Sequence, residues 1–341
     1  MNYLALENIL DKLPIAAIII DDSERIVVMN SLAMSLFGED LISRNFITAI
    51  RQPLVIDAIQ QTLKDGQTRK TLYLHNKSNF RINYEVSCKL FEKQVVLFFE
   101  DKSSFETAEQ MRSDFIANVS HELKTPLTSI LGFIETLSSM TNDDTKTRDR
   151  FLSIIQREAQ RMDRLVADLL SLSRVEASER MAPIEKLELV DLIRSTTKAL
   201  SPIIELNKIE IEYDLKDLEI WVRGDDDQLR QVLINLIENA VKYGGSNKKV
   251  KISLSNVYYE TLLQAEAVYI SIRDLGHGID PLLLPRLTER FYRVDDHRSR
   301  ELGGTGLGLA IVKHIMNRHR GRLIIKSRPG EGSEFKIILP H

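Results

Sequence analysis

The chain is poor in the features that would commit it to several large protein classes. It has one cysteine, Cys88, in 341 residues, so an intramolecular disulfide framework is ruled out and a reducing compartment suits it. Cys88 falls in an apparent strand and reads as core filler. Excess positive charge is missing as well: the formal net charge is −3 and the pI near 6.2, which leaves no broad basic field for nucleic-acid phosphates or anionic lipid. Direct nucleic-acid binding is therefore not expected. Long apolar runs are absent. The longest near the start, LPIAAIII from Leu13 to Ile20, is far short of the roughly 20 residues of a membrane helix, and no charged-then-apolar leader precedes it. A soluble, cytoplasmic chain with no membrane span is the expectation. Internal repeats and low-complexity tracts are lacking too.

What is present is ample core material, 43% hydrophobic against 28% charged residues, enough for two or three globular domains. Residues 1–101 alternate short β-branched and aromatic runs (LPIAAIIID, RIVVMN, VVLFFED) with a helical stretch from Leu54 to Leu63. The interruption at Asn76, Lys77 and Ser78 reads as a hairpin turn. An antiparallel sheet with helices on one face is the simplest packing, an α+β module that resembles the PAS sensory family. From about Ser104 to Val175 the period becomes helical. Ile116, Val119, Leu123, Leu127, Ile130, Ile134 and Leu137 step along one stripe. After the polar break TNDDTKTRD, a second stripe runs through Phe151, Ile155, Met162, Val166 and Leu169. One hairpin cannot bury both stripes; pairing with a second copy into a four-helix bundle would, and packing the hairpin on its own flanking domains is the alternative. From about Glu185 onward, strand-like runs (IEIEYDL, KVKISLSN, VYISIRDL, RLIIKSR, SEFKIILP) alternate with helices at Val190–Leu206, Asp226–Tyr243 and Gly306–Arg318. That pattern predicts one mixed sheet with helices on one face. The expected domains are 1–101, 102–180 and 181–341.

Four segments carry chemistry. FIANVSHELKTPL places His121 beside acidic Glu122, with Thr125 one turn on and Pro126 interrupting the helix, which should bend there. A neutral imidazole is a competent nucleophile near pH 7, and an adjacent carboxylate can take the ring proton while the other nitrogen attacks phosphorus. Taken alone, one of seven histidines on a helix is more often merely solvated. In DQLRQVLINLIENAVKY, Asn235 and Asn239 share a face; amide oxygens suit Mg²⁺ that is also held by phosphates. Lys242 and Tyr243 extend that surface, with Lys242 able to balance phosphate charge. In RDLGHGID, Asp274 ends a strand and can accept from an adenine amino group, while Gly276 and Gly278 let backbone approach the ring. GGTGLGLAIVKHI, residues 303–315, runs a glycine loop (Gly304, Thr305, Gly306, Leu307, Gly308) into a helix whose free amides favour phosphate. It is neither GxxxxGK[ST] nor the dinucleotide fingerprint.

Assembled in this order, the motifs resemble those of the sensor histidine kinases of two-component systems over about residues 105–341. SHELKTPL is similar to the phospho-acceptor box, and NLIENAVKY, DLGHGI, ERFYRVD and GTGLGLAIVKHI to the nucleotide-binding boxes. The resemblance implies a dimeric helical bundle followed by an α/β sandwich of the Bergerat ATP-binding type. It implies His121 as phosphorylated residue, Glu122 as its acid/base partner, and Thr125 as the residue positioning water for dephosphorylating the partner. Asn235 and Asn239 would hold Mg²⁺, Asp274 would recognise the adenine of ATP, and Tyr292 and Arg293 would reach the nucleotide from a lid. Leu275 stands where the family usually has Asn, which puts a minor polar contact in doubt. RLTERFYRVD followed by KHIMNRHRGRL, and ITAIRQP, are similar to the phosphate-regulon sensors. Such members usually begin with membrane helices. In their absence, phosphate status would arrive through a transporter-associated regulatory protein docking on the N-terminal module, which would recruit the chain to the inner membrane face. The implied partners are a second copy and a response regulator receiver domain, with a hinge near Ala177–Pro183 (ASERMAP). The competing readings are a Bergerat-fold ATPase of another kind, which would leave SHELKTPL without a purpose, and an ATP-binding scaffold or phosphatase-dominated switch with little kinase output.

Overall fold

In a computed structural model of the protein, the structure describes residues 3–77, 80–139, 144–215, 219–245, 249–294 and 304–341. The chain divides into two compact units, Met1–Ile116 and Ala117–His341.

The first unit holds helices α1 (Tyr3–Leu10), α2 (Ser31–Phe37) and α3 (Pro53–Asp65) around strands β1 (Ala16–Ile20), β2 (Ile26–Met29), β3 (Arg69–Lys77), β4 (Phe80–Phe91) and β5 (Gln94–Asp101). They form one antiparallel sheet in the order β2-β1-β5-β4-β3. Pro53 starts α3 and Gly66, in the left-handed region at φ 75°, ends it. Helices were expected on one face only. Instead β1 is buried at all five positions: Ala16, Ile18 and Ile20 pack into the main core, while Ala17 and Ile19 join Leu10 and Val28 in a second cluster that Leu6 of α1 also flanks. A strand with no polar alternation has two faces to cover, and α1 covers the second. The hairpin lies slightly beyond its predicted turn, because Asn76 and Lys77 are still paired, with Arg81 and Phe80; Ser78 lies outside the described residues. Cys88 is fully buried, as its reading as core filler requires, and burial pushes its thiol pKa up to about 12.

Two long helices follow, α4 (Ser103–Ser139) and α5 (Thr145–Ser178). The division between units falls within α4. Pro126 does not interrupt that helix, which runs on through it. Of the predicted polar break, Thr145–Asp149 form the first turn of α5, whose N-cap Asp144 accepts from the Thr147 N–H at 3.1 Å; residues 141–143 lie outside the described residues. Part of the apolar stripe is uncovered: Leu127 is 46% exposed, Ile134 45% and Val166 43%.

The remainder is α/β. Strands β6 (Lys186–Glu188) and β8 (Trp221–Arg223) pair with each other. A mixed sheet runs β12-β13-β11-β9-β7, built from β7 (Glu210–Asp214), β9 (Lys249–Leu254), β11 (Ala265–Arg273), β12 (Arg322–Arg328) and β13 (Gly332–Pro340), with β10 (Tyr258–Glu260) added on β11. Only β7 and β9 run parallel among these pairings. The predicted helix Val190–Leu206 is two helices, α6 (Leu189–Ala199) and α7 (Ser201–Leu206), because Pro202 in the first turn of α7 has no N–H to continue the ladder. Helix α8 (Asp226–Tyr243) buries Leu229, Val232, Leu233, Leu236, Ile237, Ala240 and Val241. Helix α9 (Gly308–Arg318) packs on α8 and also on α5.

Candidate functional site

The apolar stripe of α8 faces the core, so helical period turns Asn235, Glu238, Asn239 and Lys242 toward the opposite side. There they line a cleft of about 510 Å³ with Asp274, Gly278, Tyr292, Arg293 and the loop leading into α9. Asp274 is 3% exposed. Its Oδ1 accepts the N–H groups of Gly276 at 2.8 Å and Ser333 at 3.3 Å, which fixes the carboxyl at the end of β11. Gly278 sits at φ 68°, and a Cβ there would come within 1.8 Å of the Arg328 carbonyl, so only glycine lets the loop approach β12 so closely. Gly306 is the second such position: at φ 75°, an added Cβ would lie 2.9 Å from the Phe291 backbone, whose N–H bonds the Gly306 carbonyl at 2.9 Å. The glycine loop and the Tyr292–Arg293 segment are thereby joined.

The cleft has two chemically different ends. At the C-terminal end of α8, a Cβ on Gly244 would lie 3.2 Å from Asp274 Cβ; at the other, a Cβ on Gly308 would lie 3.2 Å from Asn235 Oδ1. The eight helical steps of α8 from Asn235 to Tyr243 separate these ends by roughly 12 Å. The buried Nδ2 of Asn235 has no hydrogen-bond partner among the described residues. Lys242 pairs with Glu238 at 2.5 Å. One end can accept a planar amino group, the other offers amide groups and loop backbone, and the Lys242 ammonium is turned back onto Glu238 along α8. Among the described residues no group of three His, Cys, Asp or Glu side chains gathers as for a metal, so a cation here would lean on amide oxygens and on phosphate oxygens, the donor set Mg²⁺ favours. The residues present fit a nucleoside triphosphate with Mg²⁺.

The sequence-derived site residues do not all gather in this cleft. Asn235, Asn239, Lys242, Tyr243, Asp274, Gly278, Tyr292, Arg293, Gly304, Thr305, Gly306 and Gly308 line it. Gly276 and Leu307 do not: Gly276 backs onto the Tyr243 carbonyl, and Leu307 is fully buried as the residue that opens α9. Gly303 of the loop and Asp295 of ERFYRVD lie outside the described residues. His121, Glu122 and Thr125 are on α4, with His121 exposed and the Thr125 hydroxyl donating to the His121 carbonyl at 3.1 Å. Glu122 is held by Arg161 of α5 at 2.8 Å and by Arg293 at 3.0 Å, all three side chains being at most 12% exposed. Arg293 thus touches both the cleft and the carboxylate next to His121.

Other residues escaped the motif reading. Arg164 and Asp168 of α5 line the cleft, as do Glu238, His277, Ser333 and Phe335. The Thr305 hydroxyl donates to Asp168 Oδ2 at 2.6 Å. Glu238 was within reach of helical spacing, three residues beyond Asn235, whereas Asp168 carries no local signal. The stretch read as a hinge is tied to α9: Glu179 accepts from Asn317 and meets His314, each at 2.9 Å, and the Met181 carbonyl accepts from Arg318 at 3.1 Å.

Comparison with known proteins matches two segments of the chain. Residues 111–178 match the His Kinase A (phospho-acceptor) domain, and residues 224–341 match the histidine kinase-, DNA gyrase B- and HSP90-like ATPase family. The phosphate regulon sensor protein PhoR of Pseudomonas aeruginosa is 39% identical over 271 residues, which cover 78% of this chain and 59% of that protein. The sensor histidine kinase WalK of Bacillus subtilis is 33% identical over 93% of this chain and 52% of its own length. The chain therefore spans little more than half of these two relatives. The sensor-like histidine kinase SenX3 of Mycobacterium tuberculosis is 31% identical over 98% of this chain and 80% of its own length. A crystal structure of histidine kinase ThkA in complex with response regulator protein TrrA matches with a TM-score of 0.55 over 98% of both chains at 24% identity, a likeness of fold. With its phospho-acceptor and ATPase segments in this order and a relative aligned along nearly its whole length, the chain belongs to the sensor histidine kinases.

Proposed function

We propose that the protein is an ATP-dependent histidine kinase that phosphorylates His121 and passes the phosphoryl group to an aspartate of a response regulator receiver domain. The observation that carries this reading is the two-ended cleft, with Asp274 at one end and the glycine loop and asparagines at the other, in the same compact unit as an exposed histidine. Asp274 would accept from the adenine amino group. Gly304–Gly308 and Lys242 would hold phosphate, and Asn235 and Asn239 would hold Mg²⁺, which when bound neutralises phosphate charge. Tyr292 and Arg293 would close over the nucleotide. His121 would attack the terminal phosphorus through one ring nitrogen, forming the N–P bond as the bond from that phosphorus to the β–γ bridging oxygen breaks and ADP leaves, while Glu122 takes the proton from the other nitrogen. In the arrangement seen, the Glu122 carboxylate is committed to Arg161 and Arg293, so this step requires Arg293 to let go.

The half-exposed stripe of Leu127, Ile134 and Val166 supports a homodimer, since burying what remains exposed of such side chains is worth about 1 kcal/mol each. The first unit, a five-stranded antiparallel sheet with helices, would serve as a PAS-like sensory module. Likeness to PhoR supports a role in phosphate signalling, with a transport-linked regulatory protein docking on that module. Thr125, one turn beyond His121, would position water for a phosphatase activity on the regulator. Among the described residues no helix is long and apolar enough to cross a membrane, so a membrane-bound signal would have to reach these residues through a partner or another part of the protein.

The test is incubation with γ-labelled ATP and Mg²⁺, wild type beside His121→Ala. The expected result is acid-labile, base-stable label on wild type alone, with nucleotide binding equal in both. Label that persists in His121→Ala would refute the assignment, and nucleotide binding without label in wild type would favour a scaffold or phosphatase-dominated switch.

A further inference from the structure

Asp168 belongs to none of the nucleotide-binding segments, yet it reaches into the cleft from α5. Its Oδ2 takes the Thr305 hydroxyl at 2.6 Å, and that hydroxyl in turn accepts the Leu307 N–H at 3.3 Å. The carboxyl is therefore seated on the loop that enters α9, on the Asn235 side of the cleft and away from Asp274. Burial pushes its pKa up and the Glu238 charge acts in the same direction, while the Thr305 hydrogen bond, Lys242 and Arg164 oppose them. Lys242, which also lines the cleft, is already engaged by Glu238. A phosphate chain laid along Gly304–Gly308 would meet this carboxylate head on, and like charges in a partly enclosed site repel.

We propose that Asp168 is a charge gate on the cleft: its carboxylate and the terminal phosphate of ATP exclude each other, so triphosphate breaks the Asp168–Thr305 hydrogen bond and unseats the glycine loop from α5. A diphosphate, one charge-bearing group shorter, leaves the seat in place. The phospho-acceptor hairpin would thereby carry its own sensor of the terminal phosphate, and α5 and the nucleotide would compete for Thr305. This rests on the reading of the cleft as an ATP site.

The test uses the full chain with Mg²⁺ and fluorescent N-methylanthraniloyl derivatives of ATP and ADP. Asp168→Asn keeps the shape and the hydrogen bond to Thr305 but removes the charge. It should tighten the triphosphate by about tenfold and the diphosphate by no more than about twofold, because only differential interaction shifts affinity. Asp168→Glu should keep the wild-type ratio. In a Glu179→Cys/Asn317→Cys background, disulfide trapping of α5 against α9 should slow with the ATP derivative and not with the ADP derivative. Equal tightening for both nucleotides, or weaker binding in Asp168→Asn, would overturn the gate while leaving the ATP site intact. Failure of wild type to bind either derivative would sink the ATP reading and the gate with it.

Discussion

Two asparagines, one in each unit, have the same side chain in opposite conditions. Asn30, fully buried in the first unit, uses its whole hydrogen-bonding capacity. Its Oδ1 accepts from Ala17 at 2.9 Å and Ala33 at 3.0 Å, and its Nδ2 donates to Leu10 at 3.1 Å and Ile15 at 2.8 Å. It caps α2 while tying the end of α1 to β1, and no capacity is left for a ligand. Asn235 in the second unit keeps a buried Nδ2 with no partner among the described residues. A saturated amide specifies a fold. An unsaturated one costs stability and is retained where something else completes it. On this comparison Asn30 is part of the scaffold of the first unit, and Asn235 is part of a site in the second.

The largest effect that would test the contrast is Asn30→Leu, which takes the side-chain partner from two N–H donors and the Ile15 carbonyl, leaves the Leu10 carbonyl with the Leu13 N–H alone, and should destabilise the first unit by about 3 kcal/mol. A fall in melting temperature on the order of 10 °C follows for a domain of this size. Cys88 reports it cleanly: as the one cysteine of the chain, fully buried in the same unit, with its thiol pKa at about 12, it reacts with a thiol reagent only when that unit opens. Unchanged labelling of Cys88 in Asn30→Leu would end the claim that Asn30 holds the unit together. The next effect is smaller and opposite in kind. Asn235→Leu should weaken Mg²⁺–ATP by about tenfold or more, near 1.4 kcal/mol, with the melting temperature of the second unit unchanged or raised. If stability fell along with affinity, the two asparagines would not differ in the way described.

How far such contrasts can be seen in the sequence depends on the distance over which they are made. Helix α8 was legible to the residue at both ends, because Asp225 caps it, accepting from the Gln228 N–H at 3.2 Å, and Gly244 follows its last turn. Asn235, Asn239 and Asp274 were legible because they lie within motifs whose spacing is local. Asp168 was not: its partner Thr305 is 137 positions away, and an acidic residue on an otherwise amphipathic helix looks like solvated surface. The Glu122–Arg293 pair spans 171 positions, so adjacency to His121 gave Glu122 a role but not its present partners. Helix α1 was missed for a different reason. The unbroken apolar run of β1 required cover on both faces, and one face was taken as enough.

His319 supplies the smallest and most specific prediction. It is 4% exposed. Its Nε2 accepts the Asp225 N–H at 3.0 Å, and its Nδ1 faces the Ile315 carbonyl at 2.8 Å. A carbonyl can only accept, so Nδ1 carries the hydrogen and the ring is neutral, tying the end of α9 to the cap of α8. Burial depresses its pKa below the ordinary 6.5, the Arg318 charge adds to this, and the Ile315 carbonyl and Asp225 carboxylate pull the other way. Below pH 6.5 the unfolded chain therefore binds a proton the folded one does not. Stability is at its plateau above that value and declines as pH falls toward the depressed folded pKa. The decline sets in below pH 6.5 and is read as a shift of the urea midpoint of the second unit. His319→Gln should lower the plateau but flatten the slope. A slope identical to wild type would place the acid sensitivity elsewhere and leave His319, like Asn30, a saturated part of the scaffold without a titration of its own.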